Sequence, residues 1–300
     1  YLRYFFESES FRQLLCSQVS GVGGSLTRAQ PAVVKKNYVP LPPLPEQHRI
    51  AAEIEKWFAL IDQIEQGKAS LQTTIKQTKS KILDLAIHGR LVPQDPSDEP
   101  AAELLKRINP KAEIISQNTY FQSETYPDSW VLTTIESINS YKSHSVNPMI
   151  TPEEEFDLYS VPIFPTQMPE HNKGKEIGST KQLIQHGDIL LCKINPHLNR
   201  VWEVSQQDND TPKIASSEWI VIRSPHVCSS YLRYFFESES FRQLLCSQVS
   251  GVGGSLTRAQ PAVVKKNYVP LPPLPEQHRI AAKIEELFSA LDNIQKALEA

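Results

Sequence analysis

One short segment of the chain concentrates side chains that donate and accept hydrogen bonds. It follows the apolar run Asp188-Ile189-Leu190-Leu191 and holds Lys193, Asn195, His197, Asn199 and Arg200. Lysine and arginine position a protein on nucleic-acid phosphates, and arginine, lysine and asparagine also read the edges of bases. The segment could therefore bind nucleic acid, although a solvated polar rim accounts as well for any single one of these residues.

Two further basic clusters have the same character. Lys173, Lys175 and Lys181 lie in a turn-rich stretch, and Arg258, Lys265 and Lys266 follow the glycine-rich sequence Gly251 to Gly254. The whole chain has 31 basic and 34 acidic residues and a formal charge of −3. Any attraction to a polyanion must therefore come from these local clusters and not from the net charge.

The sequence lacks the motifs that covalent chemistry on DNA usually needs. The glycines from Gly251 to Gly254 are not followed by the Lys-Ser/Thr of a phosphate-binding loop, so we interpret them as a turn. No acidic residue stands two positions before a lysine, and Asn195-Pro196-His197-Leu198 departs from the methyltransferase pattern Asn/Asp-Pro-Pro-aromatic at its last two positions. We expect a chain that is not an enzyme; an active site without a recognisable motif is the alternative.

The four cysteines and eight histidines give no metal site or disulfide framework. Cys16, Cys192, Cys228 and Cys246 form no Cys-x-x-Cys pair, and the histidines show no His-Glu-x-x-His spacing. We expect no metal or other cofactor in this chain, and a reducing, cytoplasmic location.

A long internal repeat organises the chain. Residues Tyr1 to Ala52 recur without change as Tyr231 to Ala282, and the copies then diverge, beginning with Glu53, which becomes Lys283. A period of 230 residues is much longer than the units of solenoids or propellers, so it indicates a duplicated module. Because the chain opens in the middle of the repeated pattern, we interpret it as part of a longer protein.

Both copies of the repeat lead into a heptad pattern. After the prolines of Leu41 to Pro45, apolar residues recur at alternating steps of four and three over a predicted helix from about Glu46 to His88, roughly 65 Å long. In the first copy the pattern includes Ile50, Ile54, Trp57, Ile61, Ile64, Leu71, Ile75 and Ile82; in the second it includes Ile280, Ile284, Leu287, Leu291 and Ile294. Matching apolar stripes predict that the two helices pair, and antiparallel pairing would bury both.

The stretch between the helices has the pattern of a mixed α and β domain. Short apolar runs at Val131 to Leu132, Phe156 to Val161, Asp188 to Leu191 and Trp219 to Ile222 predict strands. A short helix is predicted from Ala101 to Ile108, and Tyr231 to Ser247 also has a helical pattern. The predicted division of the chain is 1–44, the end of a first α and β domain; 45–92, a long helix; 93–125, a linker; 126–275, a complete α and β domain; and 276–300, the start of a second long helix.

Four motifs stand out in the sequence: Tyr126 to Trp130, Gly187 to Pro196, Leu271 to Ile280 with its copy from Leu41, and Ile82 to Val92. Together they resemble the specificity subunits of type I restriction–modification systems, and the resemblance extends over essentially the whole chain. Tyr126-Pro127-Asp128-Ser129-Trp130 is similar to the Pro-x-x-Trp opening of a target recognition domain. Gly187 to Pro196 resembles its central strand and loop. More specific are Leu271 to Ile280, with its copy from Leu41, which resembles the exit into the spacer helix, and Ile82 to Val92, which resembles the far end of that helix.

The resemblance implies an α+β fold, in which a mixed α/β target recognition domain joins long antiparallel coiled-coil spacer helices. It implies a sequence-specific subunit that binds double-stranded DNA and directs methyltransferase subunits and a restriction and translocase subunit to a bipartite site. S-adenosylmethionine, ATP and Mg²⁺ are then expected only in those partners. The alternative is a coiled-coil scaffold whose α/β domain binds protein instead of DNA.

The repeat adds a prediction about folding. Either copy has the sequence needed to complete the domain whose body runs from Tyr126 to Ser230. We expect the second copy, Tyr231 to Leu274, to do so. The first copy, Tyr1 to Leu44, should then expose apolar surface and be poorly ordered, or pair with another molecule.

Overall fold

The computed structural model describes residues 1–18, 29–115, 126–206, 210–249 and 257–299. The chain divides into two compact units, Tyr1–Thr73 and Thr74–Ala300. The glycine turn predicted at Gly251 to Gly254 lies outside the described residues. Within the described part, every helix is too short or too polar to cross a bilayer.

The described residues form helices and strands in the following order. The helices are α1 (Leu2–Glu7), α2 (Glu9–Ser17), α3 (Pro31–Val34), α4 (Leu44–Ile87), α5 (Ala101–Ile108), α6 (Ile135–Ile138), α7 (Ser229–Glu237), α8 (Glu239–Ser247), α9 (Pro261–Val264) and α10 (Leu274–Glu299). The strands are β1 (Val131–Thr134), β2 (Ser145–Val146), β3 (Glu155–Tyr159), β4 (Glu170–Lys173), β5 (Lys181–Ile184), β6 (Ile189–Cys192), β7 (Val201–Glu203), β8 (Lys213–Ala215), β9 (Trp219–Ile222) and β10 (Tyr268–Leu271).

Helix α4 has the ends that its sequence dictates. It begins two residues before the predicted Glu46, because Pro45 can occupy the first turn, where a backbone N–H would have no partner in the helix. After Ile87 the chain reverses at Gly89, which has a φ of +67°. A Cβ atom at Gly89 would also lie 2.5 Å from Cγ of Pro127, so only glycine fits against the Pro-x-x-Trp motif.

The end of α4 and helix α10 run antiparallel. Near the start of α10, Arg279 pairs with Asp98 at 2.6 Å, beyond the end of α4. Further along α10, Asp292 accepts a hydrogen bond from Lys79, whose ammonium lies 5.2 Å from the centroid of the Phe288 ring. Later residues of α10 therefore meet earlier residues of α4, and the predicted antiparallel pairing is confirmed for this part of the helices.

The predicted apolar stripe is buried only in part. Ile75, Ile82, Ile280 and Ile284 are buried, and Leu287 and Leu291 are partly buried against the same core. Helix α10 has 26 residues and α4 has 44, so α10 can pair with only part of α4. Ile50 and Ile54 are half-buried, whereas the other predicted pairing residues are exposed: Trp57, Ile61, Ile64, Leu71 and Ile294.

Two buried polar side chains attach α10 to the domain. Glu276 accepts hydrogen bonds from Nε1 of Trp130 at 3.0 Å and from Nε2 of Gln94 at 2.6 Å. Gln277 accepts from the backbone N–H of Cys228 at 2.8 Å and donates to the carbonyl of Pro272 at 2.8 Å. Burial raises the pKa of Glu276, and the bonds from Gln94 and Trp130 oppose that rise. The sequence Pro-Glu-Gln is thus a fixed joint between the domain and its helix.

In the described residues, three sheets make up the body of the second unit. Strands β2-β5-β8-β3-β4 form one sheet in that order, β7-β6-β9 form another, and β1 pairs with β10. All pairings are antiparallel except β3 with β8, which is parallel.

The three-stranded sheet is buried on both faces, which explains the continuous apolar sequences of its strands. Ile189 and Leu191 face the helical layer formed by α5, α7, α8 and α10. Leu190 and Cys192 face the five-stranded sheet, where they pack with the aromatic cluster of Tyr159, Trp202 and Trp219. Alternate residues of one strand thus serve two cores, and the order of layers is helices, three-stranded sheet, five-stranded sheet.

The second copy of the repeat completes this body, as predicted. Its strand β10 pairs with β1, which places Leu271 opposite Val131, and Phe236 and Leu271 are fully buried. The first copy folds with the same internal contacts. Tyr1 and Tyr231 each donate to a proline carbonyl 39 residues later, at 2.8 and 2.6 Å.

The two copies differ in what covers them. Phe6 is 47% exposed and Leu41 is 70% exposed, whereas the equivalent side chains of the second copy are fully buried. The predicted exposure of apolar surface on the first copy is therefore confirmed.

The structure also departs from the sequence prediction at the local level. Tyr231 to Ser247 is not one helix: Ser238 interrupts it, because its hydroxyl accepts a hydrogen bond from the N–H of Phe241 and caps α8. Six strands were not predicted, namely β2, β4, β5, β7, β8 and β10. Most of them are three or four residues long and mix polar with apolar side chains, so they show little periodicity.

The repeat provides a matched test of tertiary packing. We expect Leu232→Ala to destabilise the second unit by about 2–5 kcal/mol, because this side chain is 1% exposed in the core. Leu2→Ala, the same change in the same local sequence, should cost less than about 1 kcal/mol, because Leu2 is 45% exposed. Urea unfolding followed by tryptophan fluorescence measures both. Equal losses of stability in the two variants would contradict this packing.

Candidate nucleic-acid interface

The candidate loop joins β6 to β7 through a tight reversal. A 3-10 turn, Pro196–Leu198, lies between Asn195 and Asn199, whose φ angles are +48° and +44°. Asparagine tolerates this left-handed conformation better than other non-glycine residues, which explains why both ends of the turn are asparagines. The reversal leaves His197 and Leu198 exposed at the tip of the loop.

Two other segments hold this loop from the side. The N–H of Lys193 donates to the carbonyl of Glu218 at 2.9 Å, in the turn between β8 and β9. The N–H of Asn195 donates to the carbonyl of Thr257, also at 2.9 Å, and Ile194 forms an antiparallel bridge with Arg258. Residues 193–195, 216–218 and 257–259 therefore form one connected edge, although they are far apart in the sequence.

Three of the predicted DNA-binding residues also maintain this edge. The ammonium of Lys193 donates to the carbonyl of Ser217, and Nη2 of Arg200 donates to the carbonyl of Ile194 at 2.8 Å. Nδ2 of Asn199 donates to the carbonyl of Glu237 at 2.9 Å, at the end of α7. These donors are half-buried, so the loop is shaped before any ligand arrives.

Arg258 and Glu218 form an ion pair at the exposed side of this edge. Their shortest N–O distance is 2.9 Å, and their side chains are 51% and 27% exposed. Burial lowers the pKa of Lys193, Glu218 opposes that effect, and Arg258 adds to it. Lys193, Glu218 and Arg258 therefore interact electrostatically, and we call these three residues the Lys193 group.

The predicted lysine cluster at 173–181 is divided between the two ends of the five-stranded sheet. Lys173 is paired with Glu155, the first residue of β3, and Lys173 and Lys175 form ion pairs with Glu153 at 3.4 and 2.9 Å. The Lys193 group instead adjoins Ser216, whose N–H donates to the carbonyl of Tyr159, the last residue of β3. Lys173 and Lys175 thus lie at the end of the sheet opposite to that group.

Lys181 lies at the same end of the sheet as the Lys193 group. The next residue, Gln182, is paired with Ala215 and donates to the carbonyls of Ser216 and Trp219, both at 3.0 Å. Burial lowers the pKa of Lys181, whose ammonium donates to Ser179.

Lys265 and Lys266 follow α9 on the helical side of the domain. The carbonyl of Lys265 accepts a hydrogen bond from Glu136 in α6 at 2.8 Å, and Lys266 is exposed beside a cavity of about 390 Å³. The second basic cluster is therefore divided, and only Arg258 joins the Lys193 group. Contact between DNA and any of the predicted residues stays a prediction.

Sequence reasoning missed Glu218 and the turn Ser216–Ser217. An acidic residue before a strand has no distinctive spacing, and its partner Arg258 is 40 residues away. The signal is present only in the strand register, which brings the three segments together.

A cluster of charges adjoins the loop; Arg233, Glu203 and Glu237 are half-buried and Glu285 is exposed. Arg233 in α7 lies 3.2 Å from Glu203 in β7, 3.8 Å from Glu237 and 4.0 Å from Glu285 in α10. Burial raises the pKa of Glu237 to about 7; Arg233 opposes this shift and Glu203 adds to it. Because Asn199 bonds to the backbone of Glu237, the cluster connects the loop to the helical layer.

Comparison with known proteins places these features in a family. The family model described as the type I restriction modification DNA specificity domain matches residues 134–300, more than half of the chain. The chain is 31% identical to the type I restriction enzyme EcoAI specificity subunit of Escherichia coli over 246 residues, which cover 74% of the chain and 41% of that relative. It is 22% identical to the EcoKI specificity subunit of E. coli K12 over 299 residues.

The chain spans 41% of the length of the EcoAI subunit and 60% of the EcoKI subunit. Among solved structures, the HsdS subunit from Thermoanaerobacter tengcongensis is similar with a TM-score of 0.50, at 20% identity over 58% of this chain and 46% of that one. This likeness concerns the fold, and it confirms the predicted α+β class.

The shifted carboxyl group gives a pH-dependent prediction. The folded chain holds the proton of Glu237 up to about pH 7, whereas the ordinary pKa of a glutamate carboxyl group is 4.5. The contribution of the protonated Glu237 side chain to folding stability is therefore complete below pH 4.5 and is lost as the pH rises through 7. Relative to Glu237→Gln, the free energy of unfolding of the wild type should fall by roughly 1–2 kcal/mol between about pH 5 and pH 8. The partly exposed position of the carboxyl group reduces this change, because solvent screens the charge.

Urea unfolding at several pH values measures this difference. Glu7→Gln alters the equivalent residue of the first copy, whose side chain is 55% exposed, and serves as the control. A difference between wild type and Glu237→Gln that stays constant from about pH 5 to pH 8 would rule out a raised pKa at Glu237.

Proposed function

The chain belongs to the type I restriction modification DNA specificity family, and we propose that it reads double-stranded DNA for a type I restriction–modification complex. In this proposal the chain recognises the site, and partner subunits carry out methylation and cleavage. The observation that carries the proposal is the connected edge of residues 193–195, 216–218 and 257–259, which collects basic and amide donors at one end of a rigid stack of sheets.

The chemistry of this edge is suited to DNA. Phosphates are bound by lysine and arginine, and base edges are read by arginine, lysine, asparagine and acidic side chains. The loop is held by Lys193, Asn199 and Arg200 through bonds to backbone carbonyls, so little conformational entropy remains to be lost on binding. The exposed tip at His197 and Leu198 then has a defined shape to fit into a groove.

The domain consists of a segment that is repeated elsewhere in the chain and a body that is not repeated. Arg258, Lys265 and Lys266 belong to the repeated segment and have the same residue types as Arg28, Lys35 and Lys36. Contacts from the repeat would therefore be the same in both recognition domains of a complete subunit. Discrimination between the two half-sites is left to the body from Tyr126 to Ser230, which contains the β6–β7 loop.

We propose that partner subunits dock along the paired helices. The exposed apolar residues of α4 suit such contacts, and they include Trp57, Ile61, Ile64 and Leu71. The relatives' names describe specificity subunits of type I restriction enzymes. Methyltransferase subunits and a restriction subunit are the corresponding partners of this chain, and S-adenosylmethionine, ATP and Mg²⁺ belong to those partners.

The proposal predicts salt-sensitive, sequence-selective binding to duplex DNA by the chain assembled with its methyltransferase partner. The double variant Lys193→Gln, Arg200→Gln should weaken binding to the preferred duplex by about 10- to 100-fold. It should also reduce the slope of log affinity against log salt by roughly 2, because two cations that neutralise phosphates are lost. Fluorescence anisotropy at several salt concentrations measures both quantities.

The matched control removes two positive charges elsewhere. Lys106→Gln, Arg107→Gln alters exposed residues of α5, whose apolar side packs in the helical layer. This control should bind DNA as the wild type does. Equal weakening by both double variants would show that only net charge matters. Partner assembly that proceeds normally with no DNA selectivity would favour a scaffold function instead.

A further inference from the structure

The ion pair between Glu218 and Arg258 carries an inference beyond general DNA binding. We propose that these two side chains read one cytosine–guanine base pair, and that Glu218 determines which base pair is accepted. The proposal rests on the proposed function above. It assigns a specificity role to Glu218, an acidic residue within a basic surface.

The geometry places both groups for joint contact. The carbonyl of Glu218 accepts from the N–H of Lys193, while Arg258 bridges Ile194, so neighbouring backbone segments present the two side chains side by side. Nη1 of Arg258 lies 3.1 and 2.9 Å from the two carboxylate oxygens of Glu218. The guanidinium has five N–H donors and the carboxylate has about four acceptor sites, so each keeps unused capacity on its exposed side.

The chemistry of the pair matches one kind of base-pair edge. In the major groove, cytosine presents an amino donor without a neighbouring acceptor, and its partner guanine presents two acceptors, O6 and N7. A carboxylate accepts from the cytosine amino group, and an adjacent guanidinium donates to guanine. At an adenine–thymine pair the same carboxylate would meet N7 of adenine, an acceptor, beside the amino group. The pair therefore favours cytosine–guanine.

The surroundings of Glu218 explain why a carboxylate persists at this position. Arg258 forms an ion pair with Glu218 at 2.9 Å, and Glu218 also interacts electrostatically with Lys193, so a positive charge lies beside the carboxylate before DNA is present. The approach of a carboxylate to the DNA backbone is unfavourable unless neighbouring cations offset the repulsion between negative charges. The coupled group of Lys193, Glu218 and Arg258 supplies two such cations.

The repeat separates the roles of the two residues. Arg258 occurs at the same place in the repeated sequence as Arg28, so an arginine is available to both recognition domains. Glu218 lies in the body, outside the repeat. The arginine is therefore the constant donor, and Glu218 is the residue whose identity can change the base pair selected.

The competing explanation is structural: the ion pair would only fasten segment 257–259 to the turn at 216–218. A charge exchange separates the two roles. Glu218→Arg with Arg258→Glu retains an ion pair at the same place, so a purely structural pair would leave the selected DNA unchanged. A reading pair would instead change the preference at one position of the site, because donor and acceptor have exchanged places.

The experiment selects bound duplexes from a randomised pool, with the chain assembled with its methyltransferase partner, and sequences them. The wild type should select a site in which one position requires cytosine–guanine. Glu218→Gln should reduce that preference about tenfold and leave the other positions unchanged. The charge exchange should abolish the preference or favour the inverted pair. Glu103→Gln breaks an exposed ion pair with Lys106 in α5 and should select the wild-type site.

The outcomes are distinct. Selection of the wild-type sequence, with undiminished preference, by both Glu218→Gln and the charge exchange would overturn the inference while leaving the proposed function in place. Failure of the wild-type complex to select any sequence would overturn the proposed function, and this inference with it. Loss of preference at every position in Glu218→Gln, with Glu103→Gln normal, would show that Glu218 supports the fold of the edge and would also overturn a base-specific role.

Discussion

The attachment of α10 to the recognition domain depends on two buried polar side chains, Glu276 and Gln277. Each is paired with groups from the domain: Trp130 with Glu276, and the backbone of Cys228 with Gln277. A buried polar group without a partner costs free energy, so these bonds define one direction in which the helix can leave the domain. The bonds of Glu276 and Gln277 therefore also determine the position of the proposed DNA-binding loops relative to α10.

The comparison of the two repeats separates local from tertiary effects. Identical sequences give identical caps, such as Ser8 on Phe11 and Ser238 on Phe241, and both enter a long helix after the proline run. Yet only the second copy forms strand β10, because only it has β1 beside it. The long helices and the heptad pattern were therefore predictable from sequence, whereas the interruption at Ser238 was missed and β10 depends on a partner strand.

The candidate site was predictable to a similar degree. The β6–β7 loop was identified because Lys193, Asn195 and Arg200 are close in sequence and follow a clear strand. The separation of Lys173 and Lys175 from this loop was not predictable, because it follows from the direction of β3 and the register of β4. Glu218 was missed for the same reason: its role depends on the pairing of residues that are 40 positions apart.

The layered core explains how such a loop can be rigid. Strand β6 is buried on both faces, so the apolar residues from Ile189 to Cys192 fix the strand from which the loop emerges. Preorganised donors lose little entropy when they bind. Variation within the body can then alter specificity while the exit segment and its helix remain constant.

The central claim is that the loop from Asn195 to Asn199 meets base edges, and crosslinking tests it most directly. A photoreactive amino acid in place of His197, at the exposed tip, should crosslink to one or two adjacent nucleotides inside the recognised half-site when the complex is bound to its preferred duplex. Crosslinks spread evenly along unrelated duplexes, or no crosslinks while a probe in place of Lys175 reacts within the site, would contradict the account.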